Sequence, residues 1–269
     1  MVFLCCEKLS RQQMNPLNVL DPTVSSQNAR GLSALAVMTK APRAGEVKTR
    51  LVPPLTPDQA AELNKCFLYD TVTAISSAIS NNNACGIAVY TPIGTELAYA
   101  DILPSNFSLL PQRGDQFGER LYFAALDLLK CGFQSVCLID SDSPTVPAEN
   151  FAQAVKLLQQ PGDRTVLGPC DDGGYYLIGL KKPQRELFER IDWSTERVLV
   201  QTRQRAREIG LEVKLLPAGY DVDDEASLRR LCKELLADTA LADIAPHTRK
   251  FLRQLTAQRG CSCAHQAPI

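Results

Sequence analysis

The segment Lys40-Ala41-Pro42-Arg43-Ala44-Gly45-Glu46-Val47-Lys48-Thr49-Arg50-Leu51 packs four cationic side chains around a glycine, directly after an apolar run. Cations at that density repel one another unless an anion joins them, so the loop invites a polyphosphate. Two familiar phosphate loops are excluded. A Walker A motif carries Gly immediately before its Lys-Thr, whereas Gly45 stands three residues before Lys48, and no G-x-G-x-x-G is present here. What remains is a bent basic loop, including Pro42 and Gly45, in which backbone N–H groups, Lys40, Lys48 and Arg50 could neutralise phosphates. The bland alternative is a solvated charged loop.

Acids cluster in three later segments. Val136-Cys137-Leu138-Ile139-Asp140-Ser141-Asp142-Ser143-Pro144 is a buried-type strand that ends in two carboxylates. Mg²⁺ or Mn²⁺ prefers oxygen ligands, and nucleotide sites commonly supply one or two carboxylates and leave the rest to phosphate and water. Asp142 is the first choice as ligand; Asp140 and Ser143 could equally cap the following helix. In Gly168-Pro169-Cys170-Asp171-Asp172-Gly173-Gly174-Tyr175, either the Asp-Gly-Gly run is ordinary hairpin chemistry, or Gly173 and Gly174 let backbone approach a ligand, with Asp172 and Tyr175 directed at it. In Tyr220-Asp221-Val222-Asp223-Asp224-Glu225, helix capping alone explains Asp224 and Glu225. Of Asp221 and Asp223 only one is expected to face a metal, and Asp223 is favoured. Finally, Asp192-Trp193-Ser194-Thr195 holds the sole tryptophan, which could cover a base or an acceptor, while Ser194 or Thr195 could simply cap a helix.

The elements that must position these residues alternate along the chain: an apolar run, a Gly/Pro/Asp loop, an amphipathic stretch. That is the pattern of βαβ units on a mainly parallel sheet, and it predicts one three-layer αβα domain with a mixed sheet. Strands are expected at residues 32–39, 86–90, 107–110, 135–139, 165–168, 175–180 and 212–216. Helices are expected at 56–79, 119–130, 148–159, 196–209, 225–237 and near 247–258, the first with Thr56 as N-cap and Pro57 behind it. Residues 1–31 and 259–269 read as tails flanking a domain at 32–258. Ligands in such sheets bind at the carboxyl ends of the strands, where each of these segments lies.

The 269 residues are 45% hydrophobic and 22% charged, enough apolar surface for a sizeable core. Lys plus Arg at 29 against Asp plus Glu at 30 leaves a net charge of -1, without the basic excess that nucleic-acid binding requires. No apolar run is long enough to span a bilayer, and the start is too short for a signal peptide, so a cytoplasmic protein without a membrane partner is expected. Cys66, Cys131, Cys137 and Cys232 fall in apolar stretches and read as small core hydrophobes. The tail cysteines Cys5, Cys6, Cys261 and Cys263, with only His247 and His265 to join them, lack the paired spacing of a zinc site.

Taken in order, K-x-P-x-x-G-x-V-K-T-R-L, S-D-x-P, G-P-x-x-D-G-G-Y-Y-L-I-G-L, W-S-T and D-V-D resemble the nucleotide-diphospho-sugar transferase superfamily with the GT-A fold. The match is closer to glycosyltransferase-like proteins associated with radical-SAM/selenodomain genes, and the first loop is similar to that of 2-phospholactate guanylyltransferases. The resemblance spans residues 32–236. It implies that Lys40, Lys48 and Arg50 hold a triphosphate, that Asp142 binds the metal and that Asp223 is a second metal-side acid. The loop lacks the Gly-rich start of sugar nucleotidylyltransferases.

Three readings follow. The first is a Mg²⁺-dependent nucleotidyltransferase that joins a nucleoside monophosphate unit to a small phosphorylated or anionic acceptor and releases pyrophosphate. The second is a glycosyltransferase on a nucleotide sugar, with Asp172 as base. The third is a nucleotide-binding protein without turnover. In each, Lys48 and Arg50 meet the phosphates, while Tyr175 and Trp193 are expected beside the acceptor.

Overall fold

The computed structural model describes residues 17–237 and 243–262. Eight strands, β1 (Asn18–Val19), β2 (Ser33–Lys40), β3 (Ala84–Thr91), β4 (Ser108–Pro111), β5 (Ser135–Ile139), β6 (Arg164–Pro169), β7 (Tyr175–Leu180) and β8 (Glu212–Leu215), form one sheet in the order β1-β4-β3-β2-β5-β7-β6-β8. Only β7 runs against its neighbours; the other pairings are parallel. Six helices, α1 (Pro57–Ile79), α2 (Phe117–Lys130), α3 (Ala148–Gln159), α4 (Val198–Glu208), α5 (Glu225–Leu236) and α6 (Pro246–Ser262), complete a mixed, mainly parallel α/β architecture. No helix among the described residues is long and apolar enough to cross a membrane.

The central strands are apolar on both faces because both faces are covered. From β5, Cys137 and Ile139 join a core with Leu68, Val72 and Ile75 of α1 and Phe151 and Val155 of α3. Val136 and Leu138 point the other way, to Leu121 and Leu128 of α2 and Ala206 of α4. A third, smaller core lies beyond α1, where Leu63 and Phe67 meet Leu228 and Leu231 of α5 and Leu252 of α6.

That third core positions the chemistry. Leu51, from the end of the basic loop, and Val222, from between Asp221 and Asp223, are both fully buried in it. Each functional loop is therefore pinned by an apolar residue adjoining its charged ones.

Helix starts follow local chemistry. Gln59 N–H donates to Thr56 Oγ1 at 3.2 Å and Thr56 N–H to Gln59 Oε1 at 3.0 Å, a reciprocal cap with Pro57 first in the helix. The Asp224 carboxylate accepts from Ser227 N–H at 2.8 Å, the capping role expected of it. The expected helix at 196–209 starts two residues later, since Ser194 takes a left-handed φ of 63° that delays entry. Part of the segment expected to be a tail, Asn18–Val19, pairs with Ser108 and Leu109 as an edge strand; two residues show no periodicity to read. Cys66, Cys131 and Cys137 are buried free thiols and Cys232 is half-buried. The far tail cysteines, Cys5, Cys6 and Cys263, and His265 lie outside the described residues, as does the side chain of Cys261.

Candidate active site

The basic loop leaves the end of β2, and two of its residues have left-handed backbone. Gly45, at φ 76°, turns the loop where a side chain would strain it. Lys48 takes the same region at φ 49° despite its side chain, held as its carbonyl accepts from Leu51 N–H at 2.9 Å. This turn sends the Lys48 ammonium inward over the Phe67 ring, 5.5 Å from its centroid.

There Lys48 Nζ meets two acids and a carbonyl: Asp142 Oδ1 at 2.9 Å, Asp223 Oδ1 at 2.7 Å and Val222 O at 2.8 Å. Burial opposes a charged ammonium, but the two carboxylates outweigh it and the Lys48 pKa is raised. Residues from three separate segments thus converge on one point at the strand ends.

A cleft of about 350 Å³ opens beside it, lined by Lys40, Lys48, Arg50 and Arg120, with Asp142 and Asp223 at one edge. Lys40 is braced by donation to Glu46 O at 3.0 Å within its own loop. Arg120 and Gln112 come from the segment around the start of α2, which carries no motif that marks it in the sequence. Gln112 Nε2 donates to Thr39 O and Val89 O at 3.2 and 2.8 Å, tying the ends of β2 and β3 together at the cleft.

A second cavity, about 320 Å³, shares Asp142 and Asp223 with the first and adds Asp140, Asp172, Gly174, Tyr175, Trp193 and Asp221. Trp193 stands edge-on to Phe117, with centroids 5.1 Å apart, and to Tyr175, at 6.4 Å, so three rings make one wall. Asp140 accepts from Ser143 Oγ at 2.8 Å; desolvation first, then the neighbouring Asp142, holds its carboxyl well above the usual range. Asp221 is pushed up to about 6, by burial and then by Asp172 and Asp223.

Two expectations are corrected. Asp221 joins Asp223 in lining this cavity, so the two do not point to opposite sides, because residues two apart on extended chain share a side. Gly173 faces the protein instead of a ligand: a Cβ there would lie 2.1 Å from Glu196 O, and its own carbonyl accepts from Leu199 N–H at 2.8 Å. Its freedom at φ 87° serves packing of the Trp193 loop, whereas Gly174 does line the cavity, its N–H bonded to Asp172 Oδ1 at 2.8 Å. Pro42 sits half-buried in the basic loop.

Among the described residues no three acid, histidine or cysteine side chains are placed to close on one ion. Asp142 and Asp223 nevertheless converge on one positive centre, and two hard carboxylates beside a basic cleft are a donor set that would suit a Mg²⁺-type ion.

Against proteins of solved structure, the chain is 30% identical to a candidate nucleotide-diphospho-sugar transferase from Desulfovibrio desulfuricans G20, with a TM-score of 0.73, over 84% of this chain and 95% of that one. The chain belongs to the nucleotide-diphospho-sugar transferase family. It is an enzyme of the transferase class with the αβα fold of that family. Residues 75–195 also match the family described as "uncharacterized protein conserved in bacteria (DUF2064)". More distant in structure are 4-diphosphocytidyl-2C-methyl-D-erythritol synthase from Anaerococcus prevotii DSM 20548 (12% identity, TM-score 0.48, 77% of this chain and 97% of that one) and glucosyl-3-phosphoglycerate synthase from Mycobacterium tuberculosis (12%, 0.44, 91% and 88%). No curated protein sequence matches the chain.

Proposed function

We propose that this transferase is a divalent-cation-dependent nucleotidyltransferase, with the nucleotide's phosphates in the basic cleft and the acceptor in the second cavity. The observation that carries the reading is the placement of Lys48 against both Asp142 and Asp223 on the shared edge of the two chambers. A group held there touches donor and acceptor together.

Asp142 and Asp223 would hold Mg²⁺ or Mn²⁺, which when bound supplies neutralisation of phosphate charge. The chain's own residues do the rest. Lys40, Arg50 and Arg120 bind and orient the triphosphate, and Lys48 stabilises the charge that builds on it as the bond breaks. An acceptor oxygen forms a bond to the α-phosphorus, the bond from that phosphorus to the bridging oxygen breaks, and pyrophosphate leaves with the electron pair. Where the acceptor is a hydroxyl, its proton passes to Asp172 or Asp221, which line the same cavity.

The relative from D. desulfuricans favours a second reading, transfer of a sugar from a nucleotide-diphospho-sugar, with Asp172 accepting the proton. Products separate the two: pyrophosphate from a nucleoside triphosphate supports the first, and a nucleoside diphosphate from a sugar donor supports the second. Neither product across a donor panel with Mg²⁺ and Mn²⁺ leaves nucleotide binding without turnover.

A further inference from the structure

The two chambers differ in charge. The donor cleft carries Lys40, Lys48, Arg50 and Arg120 beside Glu46, whereas among the described residues no lysine, arginine or histidine lines the second cavity. Beyond the Asp142 and Asp223 pair, that cavity is lined by three further acids, Asp140, Asp172 and Asp221, together with the rings of Phe117, Tyr175 and Trp193. Lys48 and a cation held by Asp142 and Asp223 more than offset those two acids, and burial keeps Asp140 in its uncharged form, which leaves Asp172 and Asp221 as the carboxylates that line the acceptor cavity.

An anionic acceptor entering there meets carboxylates with no cationic side chain in the lining to offset them. A cationic group meets carboxylates and aromatic rings in the same lining, a combination that attracts alkylammonium ions. We infer that the acceptor is a hydroxyl-bearing molecule that is cationic, of the alkylammonium class, in place of the phosphorylated or anionic molecule expected from the motifs. This rests on the proposed function, in which the second cavity takes the acceptor. Phe117 is half exposed at 52% while packed edge-on to Trp193, so the wall stays open to an entering ligand.

Trp193 is the only tryptophan of the chain, so its emission reports on this cavity alone. The test titrates the full-length protein, in saturating Mg²⁺, with choline, glycerol and glycerol 3-phosphate, which pair a hydroxyl with a positive, neutral or doubly negative group. Choline is expected to give a saturable change with a dissociation constant at least tenfold below that of glycerol 3-phosphate. Asp172→Asn, whose amide oxygen can keep the bond from Gly174 N–H, is expected to shrink that ratio at least threefold, as is Asp221→Asn. No saturable response to choline, an equal or tighter response to glycerol 3-phosphate, or a ratio unchanged in both variants overturns the inference. A parallel thermal-shift titration with nucleoside triphosphates reads the donor cleft separately. Nucleotide binding with no choline preference defeats only the inference, while choline preference without nucleotide binding defeats the proposed function.

Discussion

Lys48 Nζ lies 2.9 Å from Asp142 Oδ1, which ties the loop after β2 to the end of the neighbouring strand β5. The Lys48 side chain is 4% exposed, and the carboxylates of Asp142 and Asp223 are 33% and 46% exposed. Removing the ammonium leaves two acids facing each other without their shared partner. Lys48→Met is expected to lose about 1–2 kcal/mol in urea denaturation, less than a wholly buried pair would lose because water reaches the acids. Unchanged stability would show that the cluster holds together without its cation.

Asp142→Ala should separate chemistry from folding. Lys48 keeps Asp223 and the Val222 carbonyl as partners when the Asp142 carboxylate is gone, so the fold should persist with a loss of about 1–2 kcal/mol. Product formation should fall by about 100-fold or more, as expected when a charge-stabilising group is lost from a transfer site. Wild-type rates in this variant would remove Asp142 from the site.

Gly173→Ala introduces a methyl 2.1 Å from Glu196 O at a backbone φ of 87°. The loop carrying Trp193 must shift. A loss of about 1–3 kcal/mol is expected, with a changed Trp193 emission spectrum in the folded protein. A spectrum identical to wild type, with full stability, would contradict this packing role.

The strands that were legible in the sequence are those with long apolar runs, such as β2, β5 and β7, and the helices those with a cap or a strong stripe, such as α1. Short elements carry no such signal, and Asn18–Val19 took its place only through pairing with β4. At the site, spacing could nominate Lys48, Asp142 and Asp223 one by one, but nothing local says that three distant segments meet. The buried Leu51 and Val222 that bring two of them together look like any other apolar residues. Arg120 and Phe117 escaped notice because R-G-D-Q-F-G-E-R reads as an exposed helix start, although it follows β4 and so lies where the strand-end rule points.

Asp70 links α1 to α6: its carboxylate accepts from His247 N–H at 3.0 Å and Thr248 N–H at 2.9 Å, capping α6 across the third core. Asp70→Ala removes the acceptor from both N–H groups, of which the Thr248 one is buried, and should lose about 1–2 kcal/mol. Amide exchange in α6 checks it: protection there should fall more than in β5, and equal protection would show that the cap does not hold the helix.

Burial pushes the Cys66 and Cys137 thiols up to about 12 and Cys131 up to about 11. A raised thiol pKa keeps the unreactive protonated form as pH rises. These three should therefore resist iodoacetamide in the native protein at pH 8 and at pH 9, and react once it is unfolded in denaturant. Peptide mapping that finds any of them alkylated as fast as in the unfolded chain would contradict their placement in the core.

In the proposed function phosphates, a divalent cation and Lys48 meet in one cleft, and the most direct test is a thermal-shift matrix of nucleoside triphosphates with and without Mg²⁺ on wild type and Lys48→Met. Ligand that binds only the folded state raises the apparent melting temperature. At least one triphosphate should raise it with Mg²⁺ and much less without, and the rise should disappear in the variant. A flat matrix for wild type, or an equal rise in Lys48→Met, would contradict the central claim.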